Sequence, residues 1–238
     1  MCGRFTLRSN LNLILQQFAL DEVPDLTPRY NIAPTQVVPT IRATKSGREL
    51  AMLRWGLIPS WSKDEKMGNR LLNARSETAA EKRSFRSAFR RRRCLVVADG
   101  FYEWKKIGTG KSGTGKYGTG KQPFYIRMRD QRPFAFAGLW ETWRGPQGAE
   151  LATPIQSCTI LTTGPNELMQ TLHDRMPVIL SPDDYAMWLD PSFEGIDALK
   201  ALQRPFAPEK MIADPVSTFV NSPRNESPEC IVAIERTE

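Results

Sequence analysis

The residue with the most unusual chemistry in this sequence is Cys2, which stands in Met1-Cys2-Gly3-Arg4. Because cysteine is small, we expect Met1 to be removed, which leaves an amine and a thiol on the same residue. An α-amine has a pKa of about 8 and an ordinary thiol one of about 8.5, so we expect both groups to react at neutral pH. Such a 1,2-aminothiol condenses with an aldehyde to an imine and then closes a five-membered thiazolidine ring.

Imine chemistry also needs proton transfer, and two residues of this sequence have the right side chains for it. The departing hydroxyl group needs a proton donor and the amine needs an acceptor, and a carboxylate and an imidazole serve these needs. Glu103 and the single histidine, His173, are candidates. Each also has a plainer interpretation. Glu103 could alternate outward on a strand between Tyr102 and Trp104, and His173 could be a salt-linked surface residue.

Composition favours a globular protein with a polyanionic partner. Lys and Arg number 33 against 26 Asp and Glu, which gives a net charge of +7 and favours nucleic acid as the partner. A chain of 238 residues with 40% hydrophobic residues can bury a substantial core. Its longest apolar runs, such as Leu95–Ala98, are far shorter than the roughly 18 residues that span a bilayer. We expect no signal peptide and no membrane association.

The cysteines do not form a metal-binding pattern. Cys2, Cys94, Cys158 and Cys230 include no CxxC pair, and with one histidine they supply too few ligands for zinc. We therefore expect no metal and no cofactor. Cys94 and Cys158 lie in apolar, strand-like runs and are predicted to be small buried side chains. This cysteine usage favours a reducing, cytoplasmic setting.

The elements that must position these residues form a mixed pattern, in which strands mostly follow strands. We predict an α+β fold with a mostly antiparallel, barrel-like β-sheet core surrounded by helices. Residues 8–20 predict an amphipathic helix capped by Ser9 or Asn10, and Thr78 and Glu81 have the spacing of a capping box. Pro165 and Pro182 each suit a first helical position. Strands are predicted at 36–43, 49–55, 94–98, 101–105, 123–128, 133–140 and 155–162.

Residues 108–121 read GTGKSGTGKYGTGK and contain the pattern GxGxxG twice. A phosphate-binding P-loop would need glycine at position 105, where this chain has Lys105. A dinucleotide loop would lead into a helix, whereas residues 123–126 are strand-like. We therefore predict a single domain over residues 1–238 with a flexible, glycine-rich insert at about 108–121. The run Arg90–Arg93 is interpreted as a solvated, positively charged face.

Two families begin with Met-Cys-Gly. The chain resembles the N-terminal-nucleophile glutamine amidotransferases there alone, because it lacks their Asn-Gly-Glu motif and their Arg-Gly-Pro-Asp motif. It resembles the SRAP family (SOS-response-associated peptidase, the abasic-site shielding proteins) nearly from end to end. The matching segments, in family order, are MCGRF at 1–5, RYNIAPT at 29–35, RWGLIP at 54–59, NARSET at 73–78, RRCLVVADGFYEW at 92–104, AGLW at 137–140 and HDRMP at 173–177.

The resemblance implies that Cys2 forms a covalent crosslink with an abasic site in single-stranded DNA, or near a single-strand to duplex junction. Asn73 would position the reacting N-terminus or sugar, while Glu103 and His173 would move protons. It also implies an enzyme that removes its own Met1, with strand cleavage by an abasic-site lyase step left open. The remaining implied contacts are to DNA, with phosphates held by Arg4, Arg75 and Arg175 and bases packed by Pro34, Trp61 and Trp104.

Two alternatives stay open beside the covalent mechanism. The first is a non-covalent reader of single-stranded or modified DNA, in which Cys2 is incidental. The second is a cysteine peptidase that acts on other proteins, as the family name suggests. We expect a DNA-associated monomer under the covalent interpretation.

Overall fold

The computed structural model describes residues 2–107 and 120–234. In chain order its strands are β1 (Phe5–Leu7), β2 (Arg29–Ile32), β3 (Val37–Thr44), β4 (Gly47–Trp55), β5 (Asn73–Arg75), β6 (Arg93–Ala98), β7 (Gly100–Lys106), β8 (Lys121–Met128), β9 (Phe134–Trp143), β10 (Ile155–Thr163), β11 (Met176–Pro177), β12 (Ile179–Leu180) and β13 (Met211–Pro215). Its α-helices are α1 (Leu11–Phe18), α2 (Ser76–Ala79), α3 (Arg86–Arg91), α4 (Glu167–Gln170), α5 (Tyr185–Leu189) and α6 (Ile196–Ala201).

Five strands close into a barrel, in the order β10-β4-β3-β6-β9 and back to β10. The neighbouring pairs are antiparallel except β4 and β10, which run parallel and align Ser157 with Arg54. Large apolar side chains such as Trp55 and Phe136 are fully buried in the core. The α+β fold with a mostly antiparallel, barrel-like core and short surrounding helices is confirmed.

A second sheet lies against this barrel in the order β13-β8-β7-β1-β2. Its strand β1 is only three residues long, yet it pairs with β2 on one side and β7 on the other. Phe5 of β1 packs edge-on against Trp55 and Phe136, with ring centroids 5.2 and 5.8 Å apart. Pairing and aromatic packing together fix β1, and β1 in turn places the start of the chain.

Most predicted elements are present, and the exceptions are at helix starts. Asn10 caps α1 by accepting a hydrogen bond from the Leu13 amide, as predicted. The capping box at Thr78 and Glu81 is wrong, because Glu81 lies beyond the end of α2 and its amide donates to the Thr78 carbonyl. Pro165 does not begin α4, whose cap is Asn166, whereas Pro182 does begin a 3₁₀ turn before α5.

The prediction of a solvated arginine face at 90–93 is wrong for Arg93, which is buried. Its guanidinium donates to the carbonyls of Phe89, Arg90 and Trp188 at 2.6–2.8 Å and also reaches Asp190. These carbonyls belong to the ends of α3 and α5, so one buried cation joins both helices to β6. Burial lowers the pKa of Arg93, although nearby Asp190 acts in the opposite direction.

The predicted glycine-rich insert lies, apart from Gly120 and Lys121, outside the described residues. Within residues 2–107 and 120–234, no helix is long and apolar enough to cross a membrane.

Candidate active site

Cys2 precedes β1, and its side chain is fully buried. Its carbonyl oxygen accepts a hydrogen bond of 2.9 Å from Nδ2 of Asn73, the first residue of β5. The amide of Tyr102 donates to the Arg4 carbonyl at 3.0 Å, which extends the β1–β7 pairing toward the chain start. This pairing brings Cys2 near Glu103, the next residue of β7, and the two interact electrostatically.

The Cys2 thiol differs from the expected one in its acidity. Burial raises its pKa far above the ordinary value, and the Glu103 carboxylate raises it further. In the folded chain the thiol pKa therefore lies above its ordinary value, because a buried thiolate loses its hydration and faces a negative charge. In this environment, sulfur attack requires a neighbouring base that accepts the thiol proton.

Glu103 is only 3% exposed, so it does not alternate outward to solvent. Burial raises the pKa of its carboxyl group, and the electrostatic influence of His173 acts in the opposite direction. A carboxyl group balanced between these effects can exchange a proton with a neighbouring group. Cys2, Asn73, Glu103 and His173 are called the N-terminal cluster below.

His173 follows α4 and its side chain is 30% exposed. Its Nδ1 atom lies 3.0 Å from the Arg175 amide nitrogen and 2.7 Å from Oδ1 of Asp174. The amide can donate to Nδ1 only when Nδ1 carries no proton, whereas the carboxylate accepts from Nδ1 when it does. Each protonation state of the ring therefore has a partner, which suits a residue that moves protons.

Arg175 holds the loop of His173 against the barrel. Its Nη1 and Nη2 atoms donate to the two carboxylate oxygens of Glu77 at 2.6 and 2.9 Å, and Nη2 also donates to the Thr162 carbonyl. The Arg175 side chain is 16% exposed. Its hydrogen bonds are the main cause that lowers the pKa of Glu77. This fork joins α2, β10 and the His173 loop.

Arg4 points toward the C-terminal segment. Its guanidinium donates to Oδ1 of Asn31 at 2.7 Å and to the carbonyls of Val220 and Asn221 at 3.1 and 3.2 Å. Asn31 in turn donates to three carbonyls in residues 220–225. Arg4 therefore links β1 to this segment, and a phosphate contact stays a prediction.

The remaining predicted DNA-binding residues are at different places on the surface. Arg75 is exposed at the end of β5, and Pro34 is half-buried. Trp104 Nε1 donates to Oδ1 of Asn221 at 2.7 Å, and the ring lines the same groove as His173. Trp61 is 41% exposed and lines another groove, where the guanidinium of Arg83 lies 4.4 Å from its ring centroid.

Cys94 and Cys158 are fully buried, which confirms their prediction as small core residues. Burial raises the pKa of both thiols, and neither contacts the N-terminal cluster through any hydrogen bond in the described part of the chain. Cys2 is thus distinguished from Cys94 and Cys158 by the Glu103 carboxyl group that acts on it.

Comparison with known proteins identifies the family of this chain. A family model described as SOS response associated peptidase (SRAP) matches residues 1–223. The chain belongs to the SRAP family. The Bacillus subtilis abasic site processing protein YoqW is 46% identical over 234 residues, which cover 97% of this chain and 99% of that protein. The Gallus gallus abasic site processing protein HMCES is 35% identical, over 87% of this chain and 67% of that protein.

A solved structure has the same fold. The crystal structure of a protein from Bacteroides thetaiotaomicron matches with a TM-score of 0.82 at 26% identity, covering 98% of this chain and all of that one.

Several supporting residues of this SRAP chain were not predicted. Glu77 and Asn31 lie within the segments NARSET and RYNIAPT, and Asp99 lies within RRCLVVADGFYEW. Asp99 is buried and accepts hydrogen bonds from Thr6 and from the amides of Arg8 and Ser9 at 2.6–2.7 Å. The segments that suggested the family therefore also contain the residues that hold β1 and the His173 loop.

Proposed function

We propose that this protein processes abasic sites in single-stranded DNA by forming a thiazolidine through Cys2 after Met1 has been removed. One observation carries the proposal: a buried cysteine near the start of the chain is held by Asn73 and adjoins a buried carboxyl group, Glu103, that interacts with His173. The names of the relatives, abasic site processing proteins, support the same substrate.

The proposed reaction begins with the ring-opened sugar, whose C1′ is an aldehyde. The Cys2 amine adds to C1′, and Glu103 gives its proton to the resulting hydroxyl group, which leaves as water and produces a protonated imine. The Glu103 carboxylate then accepts the thiol proton, and the sulfur attacks the imine carbon to close the ring. The nitrogen keeps one proton, Glu103 is protonated again, and one water is released overall.

The other predicted residues have supporting roles in this proposal. Asn73 fixes the Cys2 backbone so that amine and thiol face the same carbon. His173 exchanges protons during ring opening and reversal. Arg75 contacts a phosphate from its exposed position, Arg4 and Arg175 do so alongside their internal partners, and Pro34, Trp61 and Trp104 pack against bases or at a junction with duplex.

Removal of Met1 is proposed to be carried out by the chain itself, using the same cluster. The family name, a peptidase, supports this step. Strand cleavage competes only while the imine persists, because the imine withdraws electrons and promotes β-elimination. Ring closure by sulfur ends that competition.

The proposal is tested with single-stranded DNA that carries one abasic site, analysed on a denaturing gel without borohydride. Wild type and Cys158→Ala should give the same persistent band, because Cys158 is an equally buried thiol outside the cluster. Cys2→Ala should give none. Glu103→Gln should slow the appearance of the band by roughly 10²–10⁴-fold. A band of normal rate from Cys2→Ala refutes the mechanism, and a native shift without any covalent band favours the non-covalent reader.

A further inference from the structure

A groove of about 840 Å³ opens beside the N-terminal cluster. One wall is the outer end of the β7–β8 hairpin, and the other is the stretch from Pro165 through α4 to its following loop. The lining residues are Trp104, Lys105, Lys106, Lys121, Pro165, Gln170, Thr171, Leu172, His173 and Asp174. His173 thus belongs both to the groove and to the cluster.

Strand geometry connects the groove to the reacting carboxyl group. Successive side chains of a strand alternate between its faces, so Glu103 and Lys105 of β7 share one face about 7 Å apart. Glu103 is buried, whereas Lys105 is exposed. The face that carries the carboxyl group therefore continues outward to a cation at the groove.

The charges of the groove are strongly unbalanced. Three lysines face one acid, Asp174, among the lining residues. Lys106 pairs directly with Lys121 across the hairpin, so these two like charges share the face opposite to that of Glu103 and Lys105. Such a pair destabilises a hairpin by itself. An anion between the two ammonium groups offsets that repulsion.

We infer that this groove binds the phosphodiester backbone of single-stranded DNA on one side of the abasic nucleotide. The inference rests on the proposed function and adds a place for the flanking strand. Lys105, Lys106 and Lys121 neutralise phosphates, and the side-chain amide of Gln170 donates a hydrogen bond from the opposite wall. The strand enters past Trp104 and His173.

The experiment measures binding without chemistry. Single-stranded DNA carries a tetrahydrofuran analogue, which has no aldehyde, and its affinity is measured by fluorescence anisotropy over a salt series. The variant is Lys105→Gln/Lys106→Gln/Lys121→Gln. The matched control is Lys45→Gln/Lys200→Gln/Lys210→Gln, three exposed lysines that do not line the groove. Each phosphate contact on a single strand contributes about 0.7 to the salt slope. The groove variant loses two contacts, one at Lys105 and one shared by Lys106 and Lys121, so the slope should fall in magnitude by about 1.4.

A second arm tests the direction of the strand. The analogue is placed at the 5′ end or at the 3′ end of the oligonucleotide, so that flanking nucleotides lie on one side only. The groove variant should weaken one of these two substrates by tenfold or more and leave the other near wild type. Equal salt slopes in the groove and control variants, or equal weakening of both substrates, overturns the inference. A wild type that binds the analogue but never crosslinks true abasic DNA overturns the proposed function instead.

Discussion

Burial gives Cys2 and Glu103 acid–base properties that neither residue has in water. The Cys2 thiol becomes a weaker acid and the Glu103 carboxyl group is also harder to ionise, because both charged forms lose hydration. A thiol of this kind is unreactive until its proton has an acceptor. The Glu103 carboxyl group interacts electrostatically with this thiol and is the proposed acceptor, so we expect Cys2 and Glu103 to act as a pair.

The raised pKa of Glu103 predicts a specific pH dependence of stability. The folded state favours the protonated carboxyl group. The stability that Glu103 contributes is therefore fully present below its pKa in the unfolded chain and is lost as pH rises through its pKa in the folded chain. Glu103→Gln carries a neutral side chain at every pH. In urea denaturation over a pH series, the free energy of unfolding of the variant should therefore rise relative to that of wild type as pH rises. A fall of the variant relative to wild type with rising pH contradicts this assignment.

For Glu77 we expect the opposite pH dependence of stability, because the Arg175 hydrogen bonds lower the pKa of its carboxyl group. The stability it contributes is present above the unfolded pKa and is lost as pH falls through the folded value. Glu77→Gln should cost about 1 kcal/mol near neutral pH, since its side chain is 52% exposed. It should also slow crosslinking by about tenfold and shift its pH profile, because the His173 loop loses its anchor.

The control for this variant is Glu81→Gln, whose carboxylate lies 3.8 Å from Lys200 and is 71% exposed. It should change neither the rate nor the pH profile. If Glu77→Gln behaves like Glu81→Gln in the pH profile of crosslinking, Glu77 has no positioning role.

Among the secondary-structure elements, pairing with neighbouring strands defines the short strands, which local propensity does not predict. The barrel strands were predictable because β3, β4, β6, β9 and β10 are long and apolar. The three-residue strands β1 and β5 were not predicted, because their pairings rather than their sequences define them. The Arg175–Glu77 and Asn31–Asn225 contacts join residues 98 and 194 positions apart, a distance that no local pattern reveals.

Arg93 supplies a prediction about how the helices attach to the barrel. Lysine cannot reproduce its fork of hydrogen bonds to carbonyls, so Arg93→Lys should leave several buried carbonyls unpaired. We expect a loss of about 2–4 kcal/mol in the free energy of unfolding, measured in urea. Arg91→Lys is the control, because that side chain is 72% exposed, and it should cost less than about 0.5 kcal/mol. A comparable loss in both variants contradicts the role of Arg93.

At the scale of the whole molecule, positive charge is distributed over grooves rather than confined to one site. The groove of Trp61 is lined by Lys63, Lys66, Arg70 and Arg83, and the groove of His173 by its own lysines. Composition alone predicted the sign of the charge. It could not place the charge, because that depends on which strands and loops meet.

This distribution predicts a strong salt dependence of binding to single-stranded DNA. With about three to five phosphates contacted, the logarithm of the affinity should fall against the logarithm of salt concentration with a slope of about −2 to −3.5. Titrations at several salt concentrations with a tetrahydrofuran-containing strand measure it. A flat dependence indicates a neutral ligand instead of a polyanion.

Crosslinking through the Cys2 aminothiol is tested by the intact mass of the product formed with an abasic single strand, after denaturation and without a reductant. We expect one species whose mass equals the protein without Met1 plus the oligonucleotide minus one water, present for wild type and absent for Cys2→Ala. A persistent adduct that retains Met1, or one that forms equally in Cys2→Ala, would show that the reacting group is not the Cys2 aminothiol.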